Sequence, residues 1–340
     1  MLRRMIVLTG TAVLAAILSL SANASPIYNF TSFDGPGNNG GGTTVNGINN
    51  FGDVVGFSSD NAATPTLFTN FIRNANGTFN LLNIGGDPLA MANGINDLRT
   101  VVGGTSNFTA FTLSGGTLTT LPAVNGTTTS QTAFGINNAG TIVGQYTDST
   151  TGTTPGYRLS GGSYTTLTPL PTAAVTNAQG VNNSGLVTGF YSLDGVHQHG
   201  FFYNSATNSF SLVADPNIPN LVLPQFLGLN DNGLAVGYYQ LPDGSQHGFL
   251  YDITTGQYSF LDDPFAAKTG VSITQITGIN DSGEITGFYD DATTGLQRGF
   301  VATVPEPSTW SMLLLGFAGI ALMGYRKSKP ALLAACGHRV

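Results

Sequence analysis

The sequence repeats a Gly-aliphatic-Asn triplet six times, and this repetition constrains the fold more than any other feature. Successive triplets begin 41 to 50 residues apart. Repeat periods in this range are typical of propellers and other stacked arrays. Each repeat is therefore expected to form one unit of several strands. The glycines and asparagines of the six triplets are Gly47 and Asn49, Gly94 and Asn96, Gly135 and Asn137, Gly180 and Asn182, Gly228 and Asn230, and Gly278 and Asn280.

Each triplet opens a predicted β-hairpin. The Asn is followed by a turn in which the fifth position after the triplet glycine is itself Gly in five of the six repeats. A β-branched or apolar pair and another Gly come next, as in Ile142-Val143-Gly144. Asn-rich turns with Gly between β-formers indicate hairpins, because Gly readily adopts positive φ. In the second repeat Arg99 replaces the turn Gly, which predicts strain or a reshaped turn.

A second hairpin completes each repeat and sets the predicted architecture. His199–Tyr203 and Phe210–Val213 are two such strands around a polar turn. Four strands in about 46 residues indicate a propeller blade. The last repeat ends after its third strand, and residues 30–36 resemble residues 258–264, the end of the preceding repeat. We therefore predict an all-β, six-bladed propeller closed by an N-terminal strand; an open β-solenoid, which needs no displaced strand, is the alternative.

The composition supports this fold class and excludes some partners. Charged residues make up only 9 % of the chain, and Gly is abundant at 46 residues. Between residues 25 and 304 there are 17 acidic and 5 basic side chains, a net charge of −12. Phosphate binding needs clusters of Lys and Arg, so nucleic acid is not expected as a partner. The chain has one cysteine, Cys336, so no disulfide can stabilise the repeats.

The N-terminal segment predicts export. Arg3 and Arg4 precede an apolar run, and Ala22-Asn23-Ala24 has small residues at the two positions that signal peptidase requires. We predict a signal peptide over residues 1–24, removed by signal peptidase. A retained membrane anchor fits less well, because the apolar run is short.

The C-terminal segment has three consecutive parts. Pro305, Glu306 and Pro307 are followed by an apolar stretch over 310–325 and then by Arg326 and Lys327. Together these parts resemble the PEP-CTERM sorting signal of Gram-negative bacteria. Sixteen helical residues would span about 24 Å, slightly less than the roughly 30 Å hydrocarbon core. The resemblance implies recognition of residues 305–329 by an exosortase, an integral-membrane cysteine transpeptidase, with removal of the helix.

Export to the surface or to the exopolysaccharide matrix follows from that resemblance. The basic residues place the tail, 330–340, in the cytoplasm and the repeats outside. The membrane is then a transient partner through the 310–325 helix. A single-span anchor with a Pro-rich stalk is the alternative.

The repeats also resemble the HAF family of bacterial extracellular repeats. The similarity lies in the Gly-x-Asn-x-x-Gly-x-aliphatic-x-Gly core and the following Gly-Phe strand, and it spans residues 43–302. The repeats are predicted to start near residues 43, 90, 131, 176, 224 and 274, within a propeller domain over 25–304. This resemblance implies an extracellular location and no reaction.

Few residues are candidates for chemistry. His197 and His199 share one face of a strand and are weak candidates for metal ligands, but a third ligand is missing and His247 belongs to the next repeat. Tyr191, Tyr239 and Tyr289 follow second strands and either stack on sugars or pack between blades. Several acidic loops are oxygen-rich but lack the full spacing of a calcium loop.

These observations predict a non-enzymatic cell-surface or matrix protein that needs no cofactor and no metal. Its propeller would be an interaction module, and extracellular polysaccharide is one partner considered. The alternative is a polysaccharide-active hydrolase or lyase on the same scaffold, because the sequence cannot say which aspartates of different blades face one another.

Overall fold

The repeats fold into six four-stranded antiparallel sheets arranged as the blades of one propeller. The structure is a computed structural model, and it describes residues 28–61, 63–305 and 316–317. Each of five blades is a run of consecutive strands, and the sixth has the order β1-β24-β23-β22. The six-bladed fold predicted from the repeats is confirmed, and the open solenoid is wrong.

The strands take four positions in each blade. The innermost strands are β2 (Thr43–Ile48), β6 (Met91–Ile95), β10 (Thr128–Ile136), β14 (Val175–Val181), β18 (Leu223–Leu229) and β22 (Thr274–Ile279). The second strands are β3 (Val54–Ser59), β7 (Val101–Gly104), β11 (Ile142–Asp148), β15 (Leu186–Ser192), β19 (Leu234–Gln240) and β23 (Ile285–Asp290).

In five blades the outer half is the second hairpin of the repeat, and in the sixth it is formed by β24 and β1. The third strands are β4 (Phe68–Arg73), β8 (Ala110–Ser114), β12 (Gly156–Ser160), β16 (Gln198–Asn204), β20 (Gln246–Asp252) and β24 (Gln297–Thr303). The outermost strands are β5 (Phe79–Leu81), β9 (Thr117–Thr120), β13 (Ser163–Leu167), β17 (Ser209–Leu212), β21 (Gln257–Phe260) and, from the other end of the chain, β1 (Asn29–Phe33).

The N-terminal strand closes the ring, as the sequence predicts. β1 is hydrogen-bonded beside β24, and Phe30 packs on Phe300 with 5.2 Å between ring centroids. The Ser32 and Tyr289 hydroxyls lie 3.0 Å apart, which ties β1 to the second strand as well. With β1 in place, each of the six blades has four strands, and the outer edge of β24 is covered.

The third strand of each blade has one fully buried aromatic residue, and these six residues form much of the core. Each aromatic residue lies opposite the glycine that directly follows the apolar pair in the second strand, as Tyr157 lies opposite Gly144. A Cβ at Gly144 would clash with the Thr132 carbonyl oxygen and would come within 2.8 Å of the Tyr157 ring, so the glycine is required by both the neighbouring strand and the aromatic side chain. All six rings are at most 1 % exposed; they belong to Phe71, Phe111, Tyr157, Phe201, Phe249 and Phe300.

Several sequence predictions fall outside the described residues. They are the signal peptide over 1–24, the cytoplasmic tail over 330–340 and the sorting residues Glu306, Pro307, Arg326 and Lys327. Of the predicted helix over 310–325, only Gly316 and Phe317 are described, and both are helical.

Among the described residues there is no helix with the length and apolar character needed to cross a membrane.

Candidate functional site

The six Gly-aliphatic-Asn triplets converge on the propeller axis, where each of the three residues has a separate role. The glycines meet around the axis: a Cβ on Gly135 would lie 2.5 Å from the Gln179 carbonyl oxygen and 3.2 Å from the Gly180 Cα. The aliphatic side chains are buried, with Ile279 only 5 % exposed. Glycine is therefore required because the inner strands approach one another so closely.

The six triplet asparagines form a closed ring of hydrogen bonds. Each side-chain amide donates to the backbone carbonyl of the corresponding Asn in the next blade, as Asn137 donates to Asn182 at 2.8 Å. The ring closes where Asn280 donates to Asn49 at 3.1 Å. The Asn137 Oδ1 also accepts from the backbone N–H groups of Ala139 and Thr141, which shapes its own turn. The asparagines thus join neighbouring blades and set the hairpin turns.

The turn that lacks glycine keeps the same backbone shape. Arg99 has a φ of 57°, in the left-handed region that the glycines occupy at this position. Its Nε donates to Asp53 at 2.9 Å, and a guanidinium nitrogen donates to Asn74 at 2.7 Å. These contacts to the first blade offset the roughly 1 kcal/mol cost of a left-handed non-glycine residue. Of the two outcomes predicted from the sequence, the turn therefore has backbone strain at Arg99 and keeps its shape.

A second ring of polar residues surrounds the axis. It is formed by the residue that directly follows each triplet asparagine. Each backbone N–H donates to the side chain of its counterpart in the next blade; the six are Asn50, Asp97, Asn138, Asn183, Asp231 and Asp281. The Asn50 amide nitrogen bonds both the Asp97 carboxylate, at 3.1 Å, and the Asp281 carboxylate, at 2.8 Å. This axial mouth, which we call the acidic mouth, is shallow, with a volume of about 70 Å³.

The opposite axial mouth is larger and has no charged side chain in its lining. Its cavity has a volume of about 220 Å³. We call it the amide cavity, because most of the lining side chains are amides. The lining residues are Asn46, Asn93, Phe134, Gln179, Gln225, Leu227, Gln275, Thr277 and Phe288.

The amide cavity owes six of its nine lining residues to β-bulges. In every innermost strand the pairing register shifts by one residue just before the triplet glycine, for example between Ala178 and Gly180. A bulge leaves its extra residue unpaired and changes the direction of its side chain. The bulged residues all line the axial channel; they are Asn46, Asn93, Phe134, Gln179, Leu227 and Thr277.

The predicted binding tyrosines lie within the blades to different extents. Tyr289 is 0 % exposed and Tyr191 is 6 % exposed, so neither offers a ring face to a large ligand. Tyr239 is half-buried and stacks on His247, with 5.1 Å between centroids. The structure does not bring these three tyrosines together at one surface.

The three histidines in the part of the chain that the structure describes pair with aspartates. His197 lies 2.6 Å from Asp194, and His199 lies 3.0 Å from Asp215. The equivalent His247 lies 2.8 Å from Asp262, so the repeated histidine bonds the aspartate that follows the outermost strand. Among residues 28–61, 63–305 and 316–317, no group of three or more His, Cys, Asp or Glu side chains is arranged to hold a metal ion.

Asp263 is a fully buried acid with a raised pKa. The residue is 0 % exposed, and its Oδ2 has no hydrogen-bond partner among the described residues. Burial raises the pKa of Asp263 to about 6, although Lys268 and Arg298 oppose the shift. It lies between blades rather than at either axial mouth, so we assign it no role in binding.

Sequence reasoning missed both axial mouths. The signal for the amide cavity was present, since the residue before each triplet glycine varies between repeats while the Gly-aliphatic-Asn triplet that follows it is repeated. The bulge that turns this residue toward the axis has no signature in one sequence.

Comparison with known proteins identifies the C-terminal segment. A family model for the PEP-CTERM protein-sorting motif matches residues 303–327. This motif implies exosortase-dependent export and sorting to the cell surface in Gram-negative bacteria. No curated protein matches the chain.

Solved structures resemble the propeller at low sequence identity. TolB from Acinetobacter baumannii is 13 % identical, with 74 % of this chain and 64 % of TolB covered and a TM-score of 0.46. Trypanosoma rangeli sialidase in complex with sialic acid is 10 % identical, with 87 % and 62 % covered and a TM-score of 0.47. The chain therefore spans less than two thirds of either structure. At these identities and scores the similarity does not indicate a function.

Proposed function

We propose that the protein is a non-enzymatic surface or matrix protein, delivered by an exosortase, whose propeller is an interaction module. The observation that carries this proposal is the sorting motif over 303–327, which begins at the end of the last strand, β24. Pro305, Glu306 and Pro307 would be substrate residues for the exosortase and would perform no chemistry. The HAF resemblance of the repeats agrees with this location and stays a prediction.

The chemistry of the two axial mouths supports a binding role over catalysis. The amide cavity has no titratable side chain in its lining, so it offers no general acid or base. At the acidic mouth the Asp97 and Asp281 carboxylates already accept hydrogen bonds from Asn50. The backbone N–H of Asp231 also donates to the Asp281 carboxylate, so these carboxylates serve to hold the polar ring together.

The alternative, a polysaccharide-active enzyme, rests on one specific observation. Because Asp97 and Asp281 bond the same Asn50 nitrogen, their carboxylates lie as close as those of a paired-carboxylate hydrolase. Release of reducing ends from the host's own exopolysaccharide tests this alternative. We expect none from the wild-type protein; release that disappears in an Asp97→Asn, Asp281→Asn double variant would establish the enzyme instead.

The sorting part of the proposal is tested by localisation of a Glu306→Ala, Pro307→Ala variant of the full chain. We expect the wild-type protein at the surface or in the medium and the variant held at the inner membrane. A Ser308→Ala variant is the matched control, because it changes the same segment outside the Pro-Glu-Pro motif. Equal surface delivery of both variants would overturn the proposal.

A further inference from the structure

We infer that the amide cavity is a binding site for a neutral sugar residue. The inference rests on the proposed function, since it names the ligand of the interaction module. The first observation is the set of six bulges. A bulge next to a functional site commonly re-aims a side chain, and here every inner strand has one immediately before the triplet glycine, so that six side chains face one axial channel.

The second observation is that the bulged position is the variable one. The triplet itself is Gly, aliphatic and Asn in all six blades, whereas the residue before it is Asn, Asn, Phe, Gln, Leu and Thr in turn. The repeated residues are explained by the glycine contacts, the buried aliphatics and the asparagine ring. The bulged residues differ in size and polarity, so the cavity they line is asymmetric even though the scaffold is sixfold. An asymmetric lining is what recognition of one orientation of a ligand requires.

The third observation is the hydrogen-bonding state of the lining amides. The Gln225 and Gln275 side-chain nitrogens donate to Gln198 and Gln246, both at 2.6 Å. The Gln179 nitrogen donates to Asn177 at 3.0 Å, so each of these amides is oriented by a neighbour. Within the described part of the chain, the Oε1 atoms of Gln179, Gln225 and Gln275 accept no hydrogen bond from another protein group. The cavity therefore holds oriented acceptors for several donors.

Sugar hydroxyl groups are the donors that fit this lining. Amide oxygens accept hydrogen bonds from neutral hydroxyls, and no charged side chain is present to select an ion. Phe134, Leu227 and Phe288 add apolar surface, against which the C–H faces of a pyranose can pack. The volume of about 220 Å³ is below the roughly 300–1,000 Å³ of pockets for drug-sized ligands, which favours one ring, at a chain end, over a threaded polymer.

The test is a binding titration of the exported protein, purified after expression of the full chain. The probes are glucose, galactose, mannose and N-acetylglucosamine, with glucuronic acid and glucosamine as charged comparators. Calorimetry and saturation-transfer NMR report the affinity. We expect at least one neutral sugar to bind at least tenfold more tightly than either charged comparator.

Three variants locate the site. Gln225→Met with Gln275→Met removes two acceptors at nearly constant volume and is expected to weaken binding at least tenfold. Leu227→Trp fills the cavity and is expected to abolish binding. Gln257→Met, on the exposed face of β21, is the matched control and should bind like wild type. Thermal melts of all variants show whether they are folded.

The outcomes separate this inference from the function on which it rests. An exported and processed protein that binds no neutral sugar, or whose binding survives both cavity variants, overturns the inference and leaves the proposed function standing. Preferred binding of glucuronic acid or of glucosamine also overturns it. Retention of the protein in the cytosol overturns the proposed function, whatever the cavity binds.

Discussion

Arg298 and Asp34, 264 residues apart in the chain, form a two-point hydrogen-bonded ion pair where the N-terminal strand joins the last blade. The Arg298 Nε donates to Asp34 Oδ1 at 3.0 Å, and a second nitrogen donates to Oδ2 at 3.1 Å. Two earlier blades have His199–Asp215 and His247–Asp262 at the same position. In the last blade the outer strand β1 comes from the other end of the chain, and Arg298 takes the place of the histidine. Its charge and planar geometry suit a two-point contact.

Removing this pair should loosen the closure of the ring. Asp34→Ala is expected to lower the free energy of unfolding by about 1 kcal/mol, because the pair is partly exposed but has good two-point geometry. Urea unfolding measures the stability, and limited proteolysis measures cleavage near residues 28–33. Asp215→Ala is the control, since β17 is joined to its blade by a short turn. Faster N-terminal cleavage in the Asp34 variant alone is expected; equal cleavage in both variants would contradict the role in closure.

The asparagine ring should be more important to stability than the polar ring beside it. Asn137→Ala removes a 2.8 Å bond to the next blade and leaves two turn N–H groups without their acceptor. We expect a loss of about 2–3 kcal/mol in the free energy of unfolding. Asn183→Ala, in the exposed ring, should cost below about 1 kcal/mol. Denaturant unfolding of both variants checks this order, and a reversed order would refute it.

Replacing glycines by alanine should destabilise the protein by amounts that depend on how closely the added methyl group approaches its neighbours. In Gly135→Ala the new Cβ would lie 2.5 Å from a backbone oxygen, so we expect a loss of about 3 kcal/mol in stability. In Gly47→Ala the nearest atom is a backbone oxygen at 3.2 Å, which predicts a smaller loss. Gly126→Ala meets nothing within 4 Å and should be neutral or slightly stabilising. Thermal unfolding of the three variants tests the series, and equal melting temperatures would show that close approach is not the reason for glycine.

The raised pKa of Asp263 predicts that the free energy of unfolding falls as the pH rises. Burial raises its pKa to about 6 in the folded protein, above the usual value of about 3.9 in unfolded chains. The folded state therefore binds more protons between these values, and stability decreases from about pH 4 to pH 6. Lys268, Arg298, Asp291 and Tyr289 are the charged and titratable groups that act on it.

Asp263→Asn removes the ionisation and should stabilise the protein by about 1–3 kcal/mol at pH 7, with little effect at pH 4. Asp194→Asn is the contrasting variant. Hydrogen bonds from His197 and Val196 lower the pKa of Asp194, so its contribution is present at neutral pH and is lost on acidification. Urea unfolding at pH 7, pH 4 and pH 2.5 distinguishes the two, because the contribution of Asp194 is lost only below about pH 4. A destabilising Asp263→Asn at pH 7 would contradict the burial argument.

The sequence predicts the scaffold well because each repeated residue has the same structural role in every blade. The triplet period predicted six blades, and the likeness of Phe30–Phe33 to the end of the fifth repeat predicted closure. The role of the asparagines as a ring between blades was not predicted, because a turn signal explains the same letters locally. The amide cavity depends on bulges and on which side chains of different blades meet, and these relationships arise only in the assembled fold.

The processing of the C-terminal segment tests the account most directly. Intact mass spectrometry of the protein recovered from the cell envelope and the medium, compared between a wild-type host and one lacking its exosortase, gives both ends of the mature chain. We predict a chain without residues 1–24 and without the 310–325 stretch in the wild-type host, and a chain that keeps that stretch in the other. An identical full-length mass in both hosts, or recovery of the intact chain from the cytosol, would contradict the account.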